Sequence, residues 1–263
     1  KFFSYFDIST FKINFLFLVN KETGIRINKY LSEAGFCSRR EADKLIEKNR
    51  VKINGEIPRI GTKVMPNDIV TVDNKSINKS KEKFVYIAFN KPRGIVCTTD
   101  TKREKNNIID FINYPNRIFP IGRLDKPSEG LIFLTSDGDI VNKILRASNH
   151  HEKEYIVTVN RNITNDFIKK MSNGLPILGT TTKKCEVYKI NSKRFKIVLT
   201  QGLNRQIRRM CEYLNYEVKE LKRIRIMNIH LDIKVGQWRY FTKKEFNQLQ
   251  LLLKNSQKTA DKK

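Results

Sequence analysis

Residues 120–139, PIGRLDKPSEGLIFLTSDGD, constrain the fold more than any other stretch. Apolar runs at 117–121 and 130–135 have the composition of short strands, and Pro127 to Gly130 supply turn residues between them. Two strands therefore converge on a loop, and that loop carries the carboxylate of Asp125 two residues after Arg123. Rigid strands commonly present reactive groups in this way. Gly122 and Asp125 are equally ordinary turn formers and Arg123 an ordinary solvated charge, so the stretch alone does not separate chemistry from architecture.

Two further motifs separate them. Residues 200–211 read TQGLNRQIRRMC and open a helix expected over 204–214, and Lys153, Glu154 and Tyr155 open a strand expected over 154–159. With the Gly-Arg-Leu-Asp element, these motifs resemble the pseudouridine synthases that modify ribosomal RNA. The group acting on large-subunit RNA and called the F type is the nearest in pattern, through PILGTTTKKC at 176–185 and RIMNI at 225–229. The resemblance spans roughly residues 24–246.

The resemblance implies roles for particular residues. Asp125 is the expected nucleophile, attacking either the ribose or the base; an ionised carboxylate can bond covalently to the substrate and leave again. A carboxylate in a partly dry pocket is driven toward its neutral form, so it needs a fixed cation. Arg208 matches the arginine that supplies it, with a planar fork suited to bidentate pairing. Tyr155 is expected to stack on the target base, which must first leave the RNA stack, and to take part in removing the C5 proton. Its simpler reading is core packing with Val157 and Val159 on one strand face. Arg123 is expected to enter the space the base vacates, or else to contact phosphate, and Asn204, Arg205 and Arg209 to face RNA. The isomerisation needs no redox reagent, and neither a cofactor nor a metal is expected.

Composition supports an RNA partner without specifying one. The 263 residues carry a formal net charge of +25, spread over the chain, which favours a polyanion through counterion release. Near the end of the chain Arg223, Arg225, Gln237, Trp238 and Arg239 are candidates for further RNA contacts, though a lone tryptophan such as Trp238 is more often core than a base platform. Cys37, Cys97, Cys185 and Cys211 are scattered, form no Cys-x-x-Cys pair, and have no metal-site spacing with His150, His151 or His230. Reduced thiols in a cytoplasmic protein are expected. The apolar start, residues 1–23, is interrupted by Asp7 and Lys12 and is too short for a membrane span, so a disordered extension is expected.

Residues 24–73 read as a small module of two helices and short strands. Ser38 followed by Glu41 forms a capping box for the second helix, and Asn54-Gly55 marks a turn. The module resembles the small RNA-binding domain shared with a small-subunit ribosomal protein, which makes Arg39, Arg40 and Lys44 expected phosphate contacts. Residues 74–83, NKSINKSKEK, read as a flexible linker, and 253–263 as a basic tail. Between them, residues 84–252 alternate strands and helices in an α+β pattern, with a mixed, largely antiparallel sheet expected. A strand at 84–90, a turn at 91–94 and a returning strand at 95–98 open this domain. No phosphate-binding glycine loop is present.

The expected protein is thus a monomeric, cofactor-free synthase on large-subunit ribosomal RNA, with a transfer RNA anticodon loop as a possible additional substrate. No membrane or DNA partner is expected. The alternatives are a synthase acting on small-subunit ribosomal RNA and, from a different class, a noncatalytic RNA-binding or ribosome-assembly factor.

Overall fold

The computed structural model describes residues 24–78 and 83–256, which belong to two compact units divided at Lys83. The expected disordered extension at 1–23, four linker residues at 79–82 and the end of the tail at 257–263 lie outside the described residues.

In the small unit, β1 (Ile25–Arg26) pairs with β3 (Lys63–Val64), and β2 (Val51–Ile53), β4 (Val70–Val72) and β5 (Lys75–Ser76) form a second antiparallel sheet. Helices α1 (Ile27–Glu33) and α2 (Arg39–Glu47) bury Ile27, Leu31, Ala42 and Ile46 against Val51, Val64, Val70 and Val72. The capping box forms as expected: Ser38 Oγ accepts from Glu41 N, and the Glu41 carboxylate accepts from Ser38 N. Such a cap stabilises a helix by about 1 kcal/mol. Asn54 and Gly55 take positive φ values of 52° and 89° and close Ile53 onto Glu56, yet β2 pairs with β4 instead of starting a hairpin there. The linker boundary also shifts. Lys75–Ser76 adds a strand to β4, and Tyr30 donates its hydroxyl to the Ile77 carbonyl, so the small unit continues past residue 73.

The large unit is built on one sheet with strand order β12-β13-β9-β14-β8-β6-β16, where β7 also pairs with β8 and β15 with β14. In chain order the strands are β6 (Tyr86–Lys91), β7 (Phe119–Ile121), β8 (Glu129–Thr135), β9 (Lys153–Val159), the small hairpin β10 (Pro176–Ile177) and β11 (Thr180–Thr181), β12 (Glu186–Lys189), β13 (Arg194–Leu199), β14 (Val218–Ile226), β15 (Ile229–His230) and β16 (Trp238–Tyr240). The helices are α3 (Ile108–Ile112), α4 (Gly138–Leu145), α5 (Asn165–Asn173), α6 (Gln206–Tyr213) and α7 (Lys243–Leu252). Only β14 and β8 run parallel; the other pairings of this sheet are antiparallel.

Both faces of the central strands are covered. On β6, Ile87 and Phe89 enter one apolar cluster and Ala88 another; on β8, Ile132 and Leu134 divide in the same way from Leu131 and Phe133. Helices α3, α5 and α6 pack on the first cluster, α4 and α7 on the second. This is why 131–134 is a continuous apolar run and not an alternating one.

The expected returning strand at 95–98 does not form. Val96 makes one isolated parallel bridge to Asn107, because β6 already has β8 and β16 as its two neighbours. Instead Lys91 turns its ammonium back onto the carbonyls of Pro92 and Ile95, both at 2.8 Å, and fixes an irregular loop.

Candidate active site

Asp125 lies in the loop between β7 and β8, half-buried, and the loop is held from several directions. The Ser128 amide donates to the Asp125 carbonyl at 2.9 Å, closing a turn. Leu124 is buried, and its amide points at Cys97 Sγ, 3.4 Å away. Gly94 N donates to the Lys126 carbonyl at 2.8 Å, so the loop after β6 braces the one carrying the aspartate. These contacts fix the backbone and leave the carboxylate facing a cavity.

The floor of that cavity depends on the parallel pairing of β8 with β14, Lys222 opposite Glu129 and Arg223 opposite Gly130. Gly130 has φ +110°, and a Cβ there would overlap the Arg223 backbone. The glycine thus permits a close approach that a side chain would forbid, and it sets Arg223 beneath the site.

The cavity has a volume of about 330 Å³ and gathers Asp125, Tyr155, Arg208, Lys153, Arg223 and Arg205. Tyr155 is 9% exposed; it belongs to the core cluster, as its simpler reading has it, and it lines the cavity too. In the sheet it faces Ile197 on β13 and Arg223 on β14, with the Arg223 guanidinium 5.9 Å from its ring centre.

Arg208 is buried on α6, and its fork does not pair bidentately with Asp125. Its Nη2 donates to Ser128 Oγ at 3.1 Å and to the Pro127 carbonyl at 3.4 Å, and its Nη1 to the Val218 carbonyl at 3.3 Å. The arginine therefore grips the aspartate loop through one carbonyl and one hydroxyl. The carboxylate is still close enough to stabilise its charge, against burial, which acts first, and Arg205, which both pull its pKa down. Its Nε has no hydrogen-bond partner among the described residues.

Other cations were not anticipated as part of the site. Arg223, read in the sequence as a further RNA contact, is 4% exposed and donates Nε to the Leu131 carbonyl at 2.6 Å. Lys91 is fully buried, and burial lowers its pKa while Cys97 and Asp125 oppose the shift. Lys153 opens β9 at 8% exposure, and burial followed by the Arg223 charge pushes its ammonium down to about 8. A lysine in a period-two strand with Tyr155 on the same face was a legible signal; the burial was not.

Of the residues expected at the site, Arg123, Asp125, Tyr155, Asn204, Arg205 and Arg208 line this one cavity. Arg209 does not, and holds Asn204 through its carbonyl at 3.1 Å and its side-chain oxygen at 3.2 Å. Helix α6 starts at Gln206, so Asn204 and Arg205 precede it and the expected helical spacing of these four residues fails; Arg205 has φ 50°. Arg39, Arg40 and Lys44 are exposed on the first two turns of α2 in the small unit. Arg225 and Arg239, read as RNA contacts, are engaged by carboxylates: Arg225 with Glu152 and Glu154, Arg239 with Asp232 and Glu245. Trp238, for which core packing is the commoner of two readings, sits on edge strand β16 at 36% exposure, edge-on to Tyr114 and Tyr240.

An aspartate on a braced loop, a tyrosine and an arginine on one cavity, in a mixed sheet preceded by a small helical module, define a two-domain RNA-modifying enzyme. The chain belongs to the RNA pseudouridine synthases. Residues 85–213 match the RNA pseudouridylate synthase family and residues 25–70 the S4 domain. The chain is 56% identical over 237 residues to the dual-specificity RNA pseudouridine synthase RluF of Escherichia coli K12, covering 89% of this chain and 81% of that one. It is 31% identical over 236 residues to the ribosomal large subunit pseudouridine synthase B of Bacillus subtilis, covering 86% and 96%. A solved pseudouridylate synthase crystal structure superposes with a TM-score of 0.63 at 28% identity, over 86% of this chain and 99% of that one.

Proposed function

We propose that this synthase isomerises a uridine of large-subunit (23S) ribosomal RNA, with Asp125 as the nucleophile. The observation that carries the reading is the convergence of Asp125, Tyr155 and Arg208 on a single cavity from three separate stretches of sequence. Arg208 acts by holding the Pro127 carbonyl and the Ser128 hydroxyl, so that the carboxylate meets the substrate in one orientation. Tyr155 offers a ring face for the extruded base, worth roughly 1–3 kcal/mol. The names of the relatives support a ribosomal substrate, and the dual specificity in one of them makes a transfer RNA anticodon loop the second RNA to test.

Arg123 is exposed at the mouth of the cavity and is suited to fill the gap left by the base. Arg39, Arg40 and Lys44 hold phosphates from the small unit, where side-chain charge adds to the open amides of a helix start. No step calls for a second active site, and a cytoplasmic monomer is sufficient.

Pseudouridine mapping of ribosomal RNA from cells lacking this protein, complemented with wild type or Asp125→Ala, tests the reading. One large-subunit site should vanish and return with wild type alone. Persistence of every pseudouridine in the deletion strain would transfer the function to RNA binding or ribosome assembly. For Arg123→Ala, turnover on folded RNA should fall more than on a short unstructured strand; equal losses would remove the gap-filling role.

A further inference from the structure

The cavity holds more positive charge than its aspartate can balance. Lys153, Arg208 and Arg223 line it at 8% exposure or less, and Asp125 is the only carboxylate among the described residues of its wall; Lys91, fully buried, lies behind the wall within reach of the Asp125 charge. Asp125 contributes its charge to Lys91 and to Arg208. Lys153 receives no such help: burial and the neighbouring Arg223 act on it, and no carboxylate does. Its ammonium donates once, to the His151 carbonyl at 3.3 Å, and the Arg223 Nη2 has no partner among the described residues. Two buried cations with donors to spare thus meet at one end of the cavity, on adjacent strands β9 and β14. Keeping them charged costs free energy that folding alone does not return.

We propose that Lys153 contacts the target uracil and stabilises the negative charge its carbonyl oxygens acquire during the reaction, with Arg223 completing that anion-receiving end. The inference rests on Asp125 being the nucleophile of this cavity. If a carboxylate oxygen attacks C1′, a C1′–O bond forms, the C1′–N1 bond breaks, and its electron pair spreads over N1, O2 and O4 of the base. If it attacks C6 instead, the pair of the C5–C6 double bond moves to O4 before the glycosidic bond opens. Both routes place charge on the base carbonyls. C5 then bonds to C1′, the carboxylate leaves, C5 gives up its proton and N1 gains one, so no outside reagent is consumed. A donor fixed in a dry cavity is worth far more to such an anion than one in water, because it needs no reorganisation as the charge appears.

Of the charged and titratable groups that line the cavity with Lys153, which are Arg223 from β14, Asp125 and Arg123 from the loop after β7, Arg205 and Arg208 at the start of α6, and Tyr155 on its own strand, Arg223 is the one that acts on its charge. His151, whose carbonyl accepts from it, directs its ring to Ser256 at 2.8 Å. Since the Lys153 ammonium titrates near 8, well below a free lysine, turnover should decline as pH rises through that value.

The test is single-turnover pseudouridine formation with the full chain and a transcribed large-subunit RNA fragment, alongside RNA affinity by filter binding. Lys153→Met should slow the chemical step by about 100-fold while changing Kd by less than about threefold. Lys153→Arg should keep at least about a tenth of the rate and lose the decline near pH 8, since an arginine stays charged there. A Lys153→Met rate within about threefold of wild type would overturn the proposal. So would an arginine variant as slow as the methionine one, or an alkaline decline that persists in it. A loss confined to Kd would assign Lys153 to a backbone phosphate and overturn it equally. Where Lys153→Met fails to fold, the rate and pH profile of Lys153→Arg decide. Asp125→Ala is run beside these variants. If it stays active the nucleophile assignment fails; if it is inert while Lys153→Met is fast, only the role given to Lys153 fails.

Discussion

Strands β9 and β14 carry charge on both faces of the sheet, and the two faces treat it in opposite ways. On the face away from the cavity, Arg93 lies 3.3 Å from Glu129 and 3.4 Å from Glu220, Lys222 lies 3.8 Å from Glu129, and Lys196 lies 3.3 Å from Glu154. There acids and bases alternate in partial contact with water, and each finds its partner within the protein. On the cavity face, three buried cations, Lys153, Arg208 and Arg223, share a wall with one carboxylate. The first pattern is a solvated sheet surface, which exposed ion pairs stabilise little. The second is tolerable only where something else brings the missing negative charge. On the proposal above, an RNA substrate would do so with its phosphates and, during the reaction, with its base.

A β-bulge keeps the two patterns apart. Tyr155 pairs with Arg223 and Glu154 with Arg225, so the register slips by one residue between the two arginines. In an unbroken period-two strand Arg223 and Arg225 would share a face. The extra residue turns Arg225 toward Glu154, at 2.8 Å, and leaves Arg223 under Tyr155.

The largest effect expected from breaking this contrast is on the cavity side. Asp125→Ala should lower the single-turnover rate by at least about a thousandfold, with RNA affinity within about threefold of wild type. Rapid-quench assays and filter binding on the same preparation measure both; a matching loss of affinity would mean that the aspartate builds the binding surface instead. Next comes Arg208→Met, which orphans Ser128 and two carbonyls. It should cost roughly 3 kcal/mol, since hydrogen bonds to charged groups contribute about 1.5–3 kcal/mol, and lower Tm by about 6–12 °C. Calorimetry checks this, and an unchanged Tm would show that the 127–128 turn holds without its arginine.

Gly130→Ala sharpens the comparison from beneath, by pressing on the strand pair common to both faces. Overlap with Arg223 and a positive φ together should destabilise the fold by about 2 kcal/mol and slow turnover, read by denaturant midpoint and by rate. The smallest effect belongs to the outer face. Glu220→Gln weakens contacts to Arg93 at 3.4 Å and Arg194 at 3.7 Å, and should change stability by less than about 1 kcal/mol and activity by less than about twofold. A large loss of activity there would mean that RNA wraps onto this face.

Much of the scaffold is legible in the chain itself. The strands at 130–135, 154–159 and 194–199 and the helices after Asp137, Thr164 and Thr242 follow from apolar period and caps, both local properties. The strand expected at 95–98 failed for a nonlocal reason: an apolar segment forms a strand only if a neighbour has a free edge, and β6 had none. The sequence leaves Trp238 between core and surface because its exposure depends on β16 being an edge strand, which no count of apolar residues reveals.

The site divides in the same way. Motifs at three positions, through the family they resemble, singled out Asp125, Tyr155 and Arg208, and these three line one cavity. Sequence could not say that Arg208 would hold the Asp125 loop through Ser128 instead of pairing with the carboxylate. Nor could it say that Lys91, Lys153 and Arg223 would be buried while Arg225 and Arg239 would find carboxylates. Net charge is a property of composition, but whether a cation is solvated, paired or left waiting for a substrate depends on which strands become neighbours. The sequence by itself determined the class of chemistry and the modules that perform it, since these rest on residue identity and local period. The tertiary structure alone decided where charge lies uncompensated, since that is a property of distances between residues far apart in the chain.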